Sequence, residues 1–430
     1  MTASPLDTVP PRARLRWLVA AGEGRALLAA AMAYFALLAG YYMLRSLREA
    51  FALEVGREHI DTLFYVTFGV MLVVLPIYWF VVARTPRRLL FPAVYATVVA
   101  LFLGIAGGMT LLPDNRTLAA VYFVMVSSLN LFMVSVFWSV MVDAWRSEAA
   151  RRLFGFIAAG GSAGAIAGPA FNSLFVERLG TSWVIVVACG LLVVAIVAGR
   201  RAQAVGVPDG TAGVDRDARL DVAVGGRAID DLARLVRSPY LLVIAGLIVA
   251  GQILGGFMYQ EQARYVEGAY ATLSERAALF ARIDLAVNVL SFVFQSAVVG
   301  WLAARGGLRL ALGFVPLLLI GSLVLLALLP LGAVLIATQV FRRAVDYGLF
   351  KPTREMLFTV LNPESKFKSK SLIDTLLQRG GDSAAQATYP LVAGLGLAGV
   401  AWASAGVCVL MLAGAVWLGT AFGRRESDQR

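Results

Sequence analysis

The chain has 430 residues, 59% of them hydrophobic and 15% charged, with a mean hydropathy of +0.77 and a formal net charge of +11. A composition this apolar excludes a soluble enzyme built on one core and indicates a polytopic membrane protein. Nucleic acid, the partner that the positive sign would suggest, is not expected, because the basic residues are distributed as membrane topology distributes them.

A hydrocarbon core of about 30 Å takes about 20 helical residues. On that ruler twelve spans are predicted, at 26–47, 60–82, 88–112, 118–142, 153–175, 181–199, 239–261, 277–303, 307–329, 331–350, 370–396 and 398–421. Continuous apolar runs of this length suit helices rather than the alternating strands of a barrel, since lipid offers no partner for free backbone groups. The expected fold class is all-α: twelve transmembrane helices in two six-helix halves.

Residues 1–25 lack a short apolar region followed by a small-residue cleavage site, and read as a basic cytoplasmic tail. Span one ends in "LRSLREAFAL", which carries Arg45, Arg48 and Glu49. "WFVVARTPRRLLF" places Arg84 and Arg88 after span two, and Asp143 closes span four. Span five holds glycines 160, 161, 164 and 168; with no Lys-Ser/Thr following, they suit close helix packing better than a phosphate loop. The first bundle is assigned to 26–200 and a cytoplasmic linker to 201–238. The "DRD" string at 215–217 reads as a solvated turn, and "RAIDDLARLVRS" as a short amphipathic surface helix.

The second bundle is assigned to 239–422 and a short tail to 423–430. Span eight carries Arg282, and "WLAARGGLRLALGF" places Arg305 and Arg309 after it. Span ten and its exit, "FRRAVDYGLFKPTREMLF", concentrate Arg342, Arg343, Asp346, Lys351, Arg354 and Glu355; span eleven adds Arg379 and Asp382. Asn172, Gln252, Tyr259, Gln260, Asn288 and Gln295 are neutral polar residues within spans, each better suited to bonding a neighbouring helix than to touching a ligand. Cys189 and Cys408 sit in apolar runs as small buried hydrophobes, and with His59 the single histidine there is no metal-ligand cluster to propose and no cofactor. Most Lys and Arg fall in the tails and the even-numbered loops, which predicts cytoplasmic termini and, for a bacterial chain, the inner membrane.

The halves repeat. Arg84 and Arg305 stand 221 residues apart, as do Arg88 and Arg309, and "GGSAGA" at 160–165 faces "GGDSAA" at 380–385 with an offset of 220. "GWLAARGGLR" resembles the Gly-x-Leu-Ala-x-Arg-x-Gly-x-Arg loop of major facilitator transporters. "RRLFGFIAAGGSAGAIAGP" and "KPTREMLFTVLNPESKFKSKSLIDTLLQRGGDSAAQ" are similar to the ATP:ADP antiporter, or nucleotide translocase, family. "LRSLREAFAL" also resembles that family's Arg followed three residues on by Lys-Asp, here Arg45 and then Arg48-Glu49, with Ser46 where the pattern has an acid. The resemblance implies a nucleotide exchanger working by alternating access, with the cavity between the halves and a small anionic substrate, a nucleotide, as partner alongside the lipid bilayer. A monomer is expected.

An ionised side chain at the bilayer centre costs from about 3 to more than 10 kcal/mol unless paired or wetted, so the span arginines should face the interior. Spacing supports pairs of Arg45 with Glu49 and Arg342 with Asp346 at i, i+4, and of Arg379 with Asp382 at i, i+3. These pairs are either structural or parts of an anion site, and the bidentate guanidinium fork favours the anion. The substrate-binding candidates are Arg45, Arg48, Glu49, Arg282, Arg342, Arg343, Asp346, Lys351, Arg379 and Asp382. Arg84, Arg88, Asp143, Arg305, Arg309, Arg354 and Glu355 are candidates for bracing or gating the cytoplasmic face. The alternatives are a major facilitator carrier of another organic anion or a proton-coupled solute, with Glu49 or Asp143 protonated, and a membrane-embedded enzyme or scaffold, for which no catalytic cluster is found.

Overall fold

The computed structural model describes residues 23–84, 87–112, 115–144, 147–205, 238–357 and 377–428. The predicted linker helix, but for Ser238, and all of "LNPESKFKSKSLIDT" lie outside these residues. Among the described residues all regular structure is helical. In chain order the elements are α1 (Glu23–Val55), α2 (Ile60–Arg84), α3 (Arg87–Leu111), α4 (Arg116–Ala144), α5 (Ser147–Leu179) and α6 (Thr181–Val205). There follow α7 (Pro239–Ala269), α8 (Leu273–Val293), α9 (Gly300–Leu328), α10 (Gly332–Val345), α11 (Lys351–Leu357), α12 (Gln378–Thr388), α13 (Pro390–Ala393) and α14 (Gly396–Asp428).

Ten helices among the described residues are long and apolar enough to cross a membrane. The protein is an integral, multi-pass membrane protein. The predicted tenth span and the described helices of the eleventh do not join that set, and the reason is visible in their sequences. The tenth is α10, a π-helical turn at Asp346–Phe350 and α11, run together and loaded with charge. The eleventh is short and polar where it is described, as α12 and α13.

Several helices outrun their apolar cores. Hydropathy ends the first span at 47 and the seventh at 261, whereas α1 continues to Val55 and α7 to Ala269. A backbone whose own hydrogen bonds are complete has no cause to unwind at the first charged residue, provided the charge finds a partner. Arg264, placed by hydropathy in a loop, is therefore a helical residue of α7. At its start α7 is fixed by Pro239 at its first position and by the Ser238 Oγ, which accepts from the Leu241 N–H at 3.4 Å. Between α1 and α2 the chain turns at Gly56, whose φ of 115° is open to glycine and strained for other residues.

The chain forms two compact units, one drawn from Met1–Val55, Val70–Asp221 and Leu273–Leu285, the other from Gly56–Gly69, Val222–Thr272 and Ala286–Arg430. In the first unit α1 is the central helix, packed on α5, α6 and α4. It buries a row of small residues, Ala26, Ala30, Ala33, Ala36 and Gly40. The span-five glycines meet α1 along Ala31, Phe35 and Ala39: a Cβ on Gly160 would lie 2.6 Å from the Ala31 carbonyl oxygen, and Gly164 and Gly168 stand likewise against the carbonyls of Phe35 and Ala39. The packing role read from their spacing is therefore the one they have. In the second unit α7 occupies the comparable place, packed on α12 and α14, with Gly256 against Ala385 and Gly381 against Gln252. Both glycine-bearing strings of the repeat thus meet the first helix of their half.

Candidate functional site

Among the described residues the polar interior forms a cluster in each unit. In the first, α1 presents residues 42, 45, 46 and 49 at helical spacing, so that they share a face. The Arg45 Nε lies 3.9 Å from Asp284 Oδ2 on α8, and its guanidinium lies 5.5 Å from the centre of the Tyr42 ring. Arg48 donates from Nη1 to Ser127 Oγ on α4 at 3.2 Å, pairs through Nη2 with Glu49, and lies 5.2 Å from the Phe123 ring centre. The predicted i, i+4 pair of Arg45 with Glu49 is replaced by these two: Glu49 takes the next residue along the chain, and Arg45 finds an acid on a distant helix. Glu49 is buried, and its second oxygen, Oε2, has no hydrogen-bond partner among the described residues. Behind this row, fully buried Ser46 donates to the Met43 carbonyl at 3.0 Å and accepts from Asn172 Nδ2 on α5.

In the second unit α7 and α12 face each other along a run of amide and carboxylate side chains. Asp382 accepts from Gln252 Nε2 at 2.7 Å through Oδ1, and its Oδ2 lies 3.5 Å from Arg379 Nη1, the i, i+3 pair expected from spacing. Gln260 donates to Gln386. One turn on, the Tyr389 hydroxyl donates to buried Glu261 at 2.7 Å and accepts from Arg264 Nη2 at 2.8 Å, while Arg264 Nη1 lies 3.5 Å from Glu261 Oε2. Each of these carboxylates is thereby neutralised by an arginine on its own helix. Such pairing is what a low-dielectric interior requires.

Helix α10 completes the second cluster. Arg342 Nε donates to buried Gln339 Oε1 at 2.9 Å, one turn earlier, and the guanidinium lies beside Gly255 of α7. No salt bridge joins Arg342 to Asp346, so the second predicted i, i+4 pair is also not formed. Arg343 is half-buried, and Asp346 opens the π turn. That turn packs against a second one, Phe294–Val299, which follows α8. Gly348 sits on Phe294 and Ser291, and Gln295 Nε2 donates to the Tyr347 carbonyl at 3.0 Å. The Lys351 Nζ lies 4.4 Å from the Tyr347 ring centre. Arg354, placed by sequence at the membrane boundary, is only 6% exposed, with its Nη2 3.7 Å from Glu355.

The remaining candidates fall elsewhere. Arg282 is exposed, 3.7 Å from Glu177, and stands apart from the Arg45 pair although it is two residues from Asp284. Arg309 is exposed and its main chain packs on Gly419. The side chains of Arg84, Arg88, Asp143 and Arg305 lie outside the described residues. The neutral residues behave as expected of helix-bonding groups: Asn172, Gln252, Gln260 and Gln295 each donate to a neighbouring helix. Sequence reasoning missed the Glu261, Arg264 and Tyr389 group, although Glu261 and Arg264 share the same i, i+3 spacing that flagged Arg379 and Asp382. It also missed Ser127 and Gln339 as partners of arginine, since neutral residues carry no signal of that role in sequence.

Residues 311–423 match the family model described as TLC ATP/ADP transporter. That stretch contains Arg342, Arg343, Asp346, Lys351, Arg354, Glu355, Arg379 and Asp382. No curated protein matches the chain. Among solved structures it is similar to a POT family transporter in complex with 5-aminolevulinic acid, at 12% identity and a TM-score of 0.65, covering 93% of this chain and 96% of the other. It is similar to a peptide transporter, POT, in complex with alafosfalin, at 15% identity and a TM-score of 0.61, covering 92% and 95%. The nucleoside transporter NupG follows at 12% identity and a TM-score of 0.56, covering 93% and 99%. At these identities the likeness shows the fold alone, the all-helical fold that these transporters share. The resemblance to the ATP:ADP antiporter family read from the sequence is borne out over its C-terminal part. The TLC match over residues 311–423 supports a secondary transporter.

Proposed function

We propose that this protein exchanges nucleotides, ATP and ADP or close relatives, across the membrane by alternating access. The observation that carries the reading is the coincidence of the TLC ATP/ADP transporter match with the helices that bear Arg342 and Arg379. A guanidinium binds phosphate through parallel N–H donors and keeps its charge at any physiological pH, which suits repeated capture and release of a polyanion. In the two clusters Arg48 and Arg379 rest on Glu49 and Asp382. A phosphate group would compete with the carboxylate for the arginine, so binding exchanges one anionic partner for another, and the released carboxylate must take up a proton or another donor. The test is uptake of radiolabelled ATP and ADP into proteoliposomes with and without internal nucleotide. Uptake that requires a nucleotide on the far side supports exchange, and indifference to internal nucleotide opposes it.

A second reading, a proton-coupled carrier of another organic anion, rests on Glu49 Oε2, a buried carboxylate oxygen with no hydrogen-bond partner among the described residues. A proton placed there would be held out of water beside an arginine. Uptake driven by an imposed pH gradient with no internal nucleotide would favour this reading over exchange.

A further inference from the structure

We propose that Gln339 is a positioning residue that sets how Arg342 meets an anion, and that Gly255 keeps open the edge of the guanidinium left for it. The proposal rests on the nucleotide-carrier reading above and adds to it a selector that acts without touching the substrate.

A guanidinium has two ways to clamp an oxyanion: side-on, through Nε and one Nη, or end-on, through Nη1 and Nη2. At Arg342 the Nε–H is already taken, donated at 2.9 Å to the Oε1 of Gln339. Gln339 is 2% exposed and lies one helical turn earlier on α10, so it holds the guanidinium from the interior and is itself shielded from solute. Only the end-on edge remains. Beside that edge stands Gly255 of α7, where a Cβ would lie 3.3 Å from Nη1, 3.8 Å from Cζ and 3.9 Å from Nη2. A methyl group there would crowd the free donors and press the arginine toward Gln339. The acceptor itself is neutral, and this matters: a carboxylate at 339 would cancel the charge that attracts the ligand, whereas a carboxamide orients the arginine and leaves its full positive charge for the anion.

The experiment compares Gln339→Met, Gln339→Glu, Gly255→Ala and Arg342→Gln in proteoliposomes, with KM and maximal rate measured separately for radiolabelled ATP and ADP, and protein level and melting temperature recorded for each variant. Gln339→Met keeps length and removes the acceptor, and should raise KM by about tenfold, the order of one charge-assisted hydrogen bond, with maximal rate changed far less. Gln339→Glu should raise KM further, and more for ATP than for ADP because ATP carries the additional negative charge. A residue that merely supports the helix would not produce that split. Gly255→Ala should raise KM for both nucleotides. If Arg342→Gln loses affinity while the Gln339 variants keep wild-type KM, the positioning role is overturned and the nucleotide reading stands. If Arg342→Gln also keeps wild-type KM, the reading fails at this arginine and the proposal with it.

Discussion

Asn172 donates through Nδ2 to Ser46 Oγ at 2.6 Å and to the Met43 carbonyl at 2.8 Å, so one carboxamide on α5 holds the stretch of α1 that carries Arg45 and Arg48. Both side chains are fully buried. Asn172→Leu fills the space and removes the donor, which should destabilise the protein by about 1–3 kcal/mol, the cost of orphaned buried polar groups. Thermal unfolding in detergent measures this. Combined with Ser46→Ala, the loss should be less than additive, and strict additivity in the double-mutant cycle would show that the two residues are not coupled.

The α1 and α5 contact predicts opposite outcomes for the same substitution at two glycines. Gly164→Ala puts a methyl group onto the Phe35 carbonyl, and should cost about 1–3 kcal/mol or abolish accumulation of folded protein. Gly190→Ala on α6 meets nothing within 4 Å and gains helix propensity, so it should be neutral or stabilising by up to about 1 kcal/mol. Equal behaviour of the two variants in expression and melting temperature would contradict the packing described here.

Glu49→Gln separates exchange from proton coupling. Removing the carboxylate that neutralises Arg48 leaves the guanidinium for the solute, so an exchanger should retain counterflow with KM lowered by about threefold or more, the electrostatic gain of freeing an arginine from a largely buried pair. A proton-coupled carrier with Glu49 as its acid would instead lose pH-gradient-driven uptake. Counterflow and pH-jump uptake in the same vesicles decide between them.

Glu54 and Arg276 form an ion pair at 3.0 Å within the first unit, joining the end of α1 to the start of α8. The glutamate is 40% exposed, which limits what the pair contributes. Arg276→Glu should lower stability by no more than about 1 kcal/mol, and the exchanged pair Glu54→Arg with Arg276→Glu should recover most of it. A coupling that persists in high salt would mark the pair as more shielded than its exposure implies.

The helical class and ten spans were legible because lipid leaves the backbone one economical answer and the apolar runs are long. The charged spans were less so. Hydropathy ended the first and seventh spans at 47 and 261, and could not see that Arg48 has Glu49 and Ser127, or that Arg264 has Glu261 and Tyr389. Local spacing gave the Arg379 and Asp382 pair, since that interaction is contained in one helical turn. It failed for Arg45, whose acid, Asp284, is brought to it by the tertiary fold and by no periodicity in the sequence. The glycine strings were read correctly because small residues at four-residue spacing have one common use between helices.

The π turn at Asp346–Phe350 also acts as a phase shift in the numbering of a helix face. In an unbroken α-helix Arg354 would stand over Arg343, about 20° away in azimuth. A π turn absorbs one residue, which rotates everything beyond it by about 100° and turns Arg354 away from the face of Arg343 by roughly 80°. One continuous helical rod can therefore direct its first basic residues to one surface and bury Arg354 on another, without a loop or a proline between them. A helical wheel drawn through "FRRAVDYGLFKPTREMLF" would place all these charges in one incorrect register, and the chain carries the correction as a single extra residue.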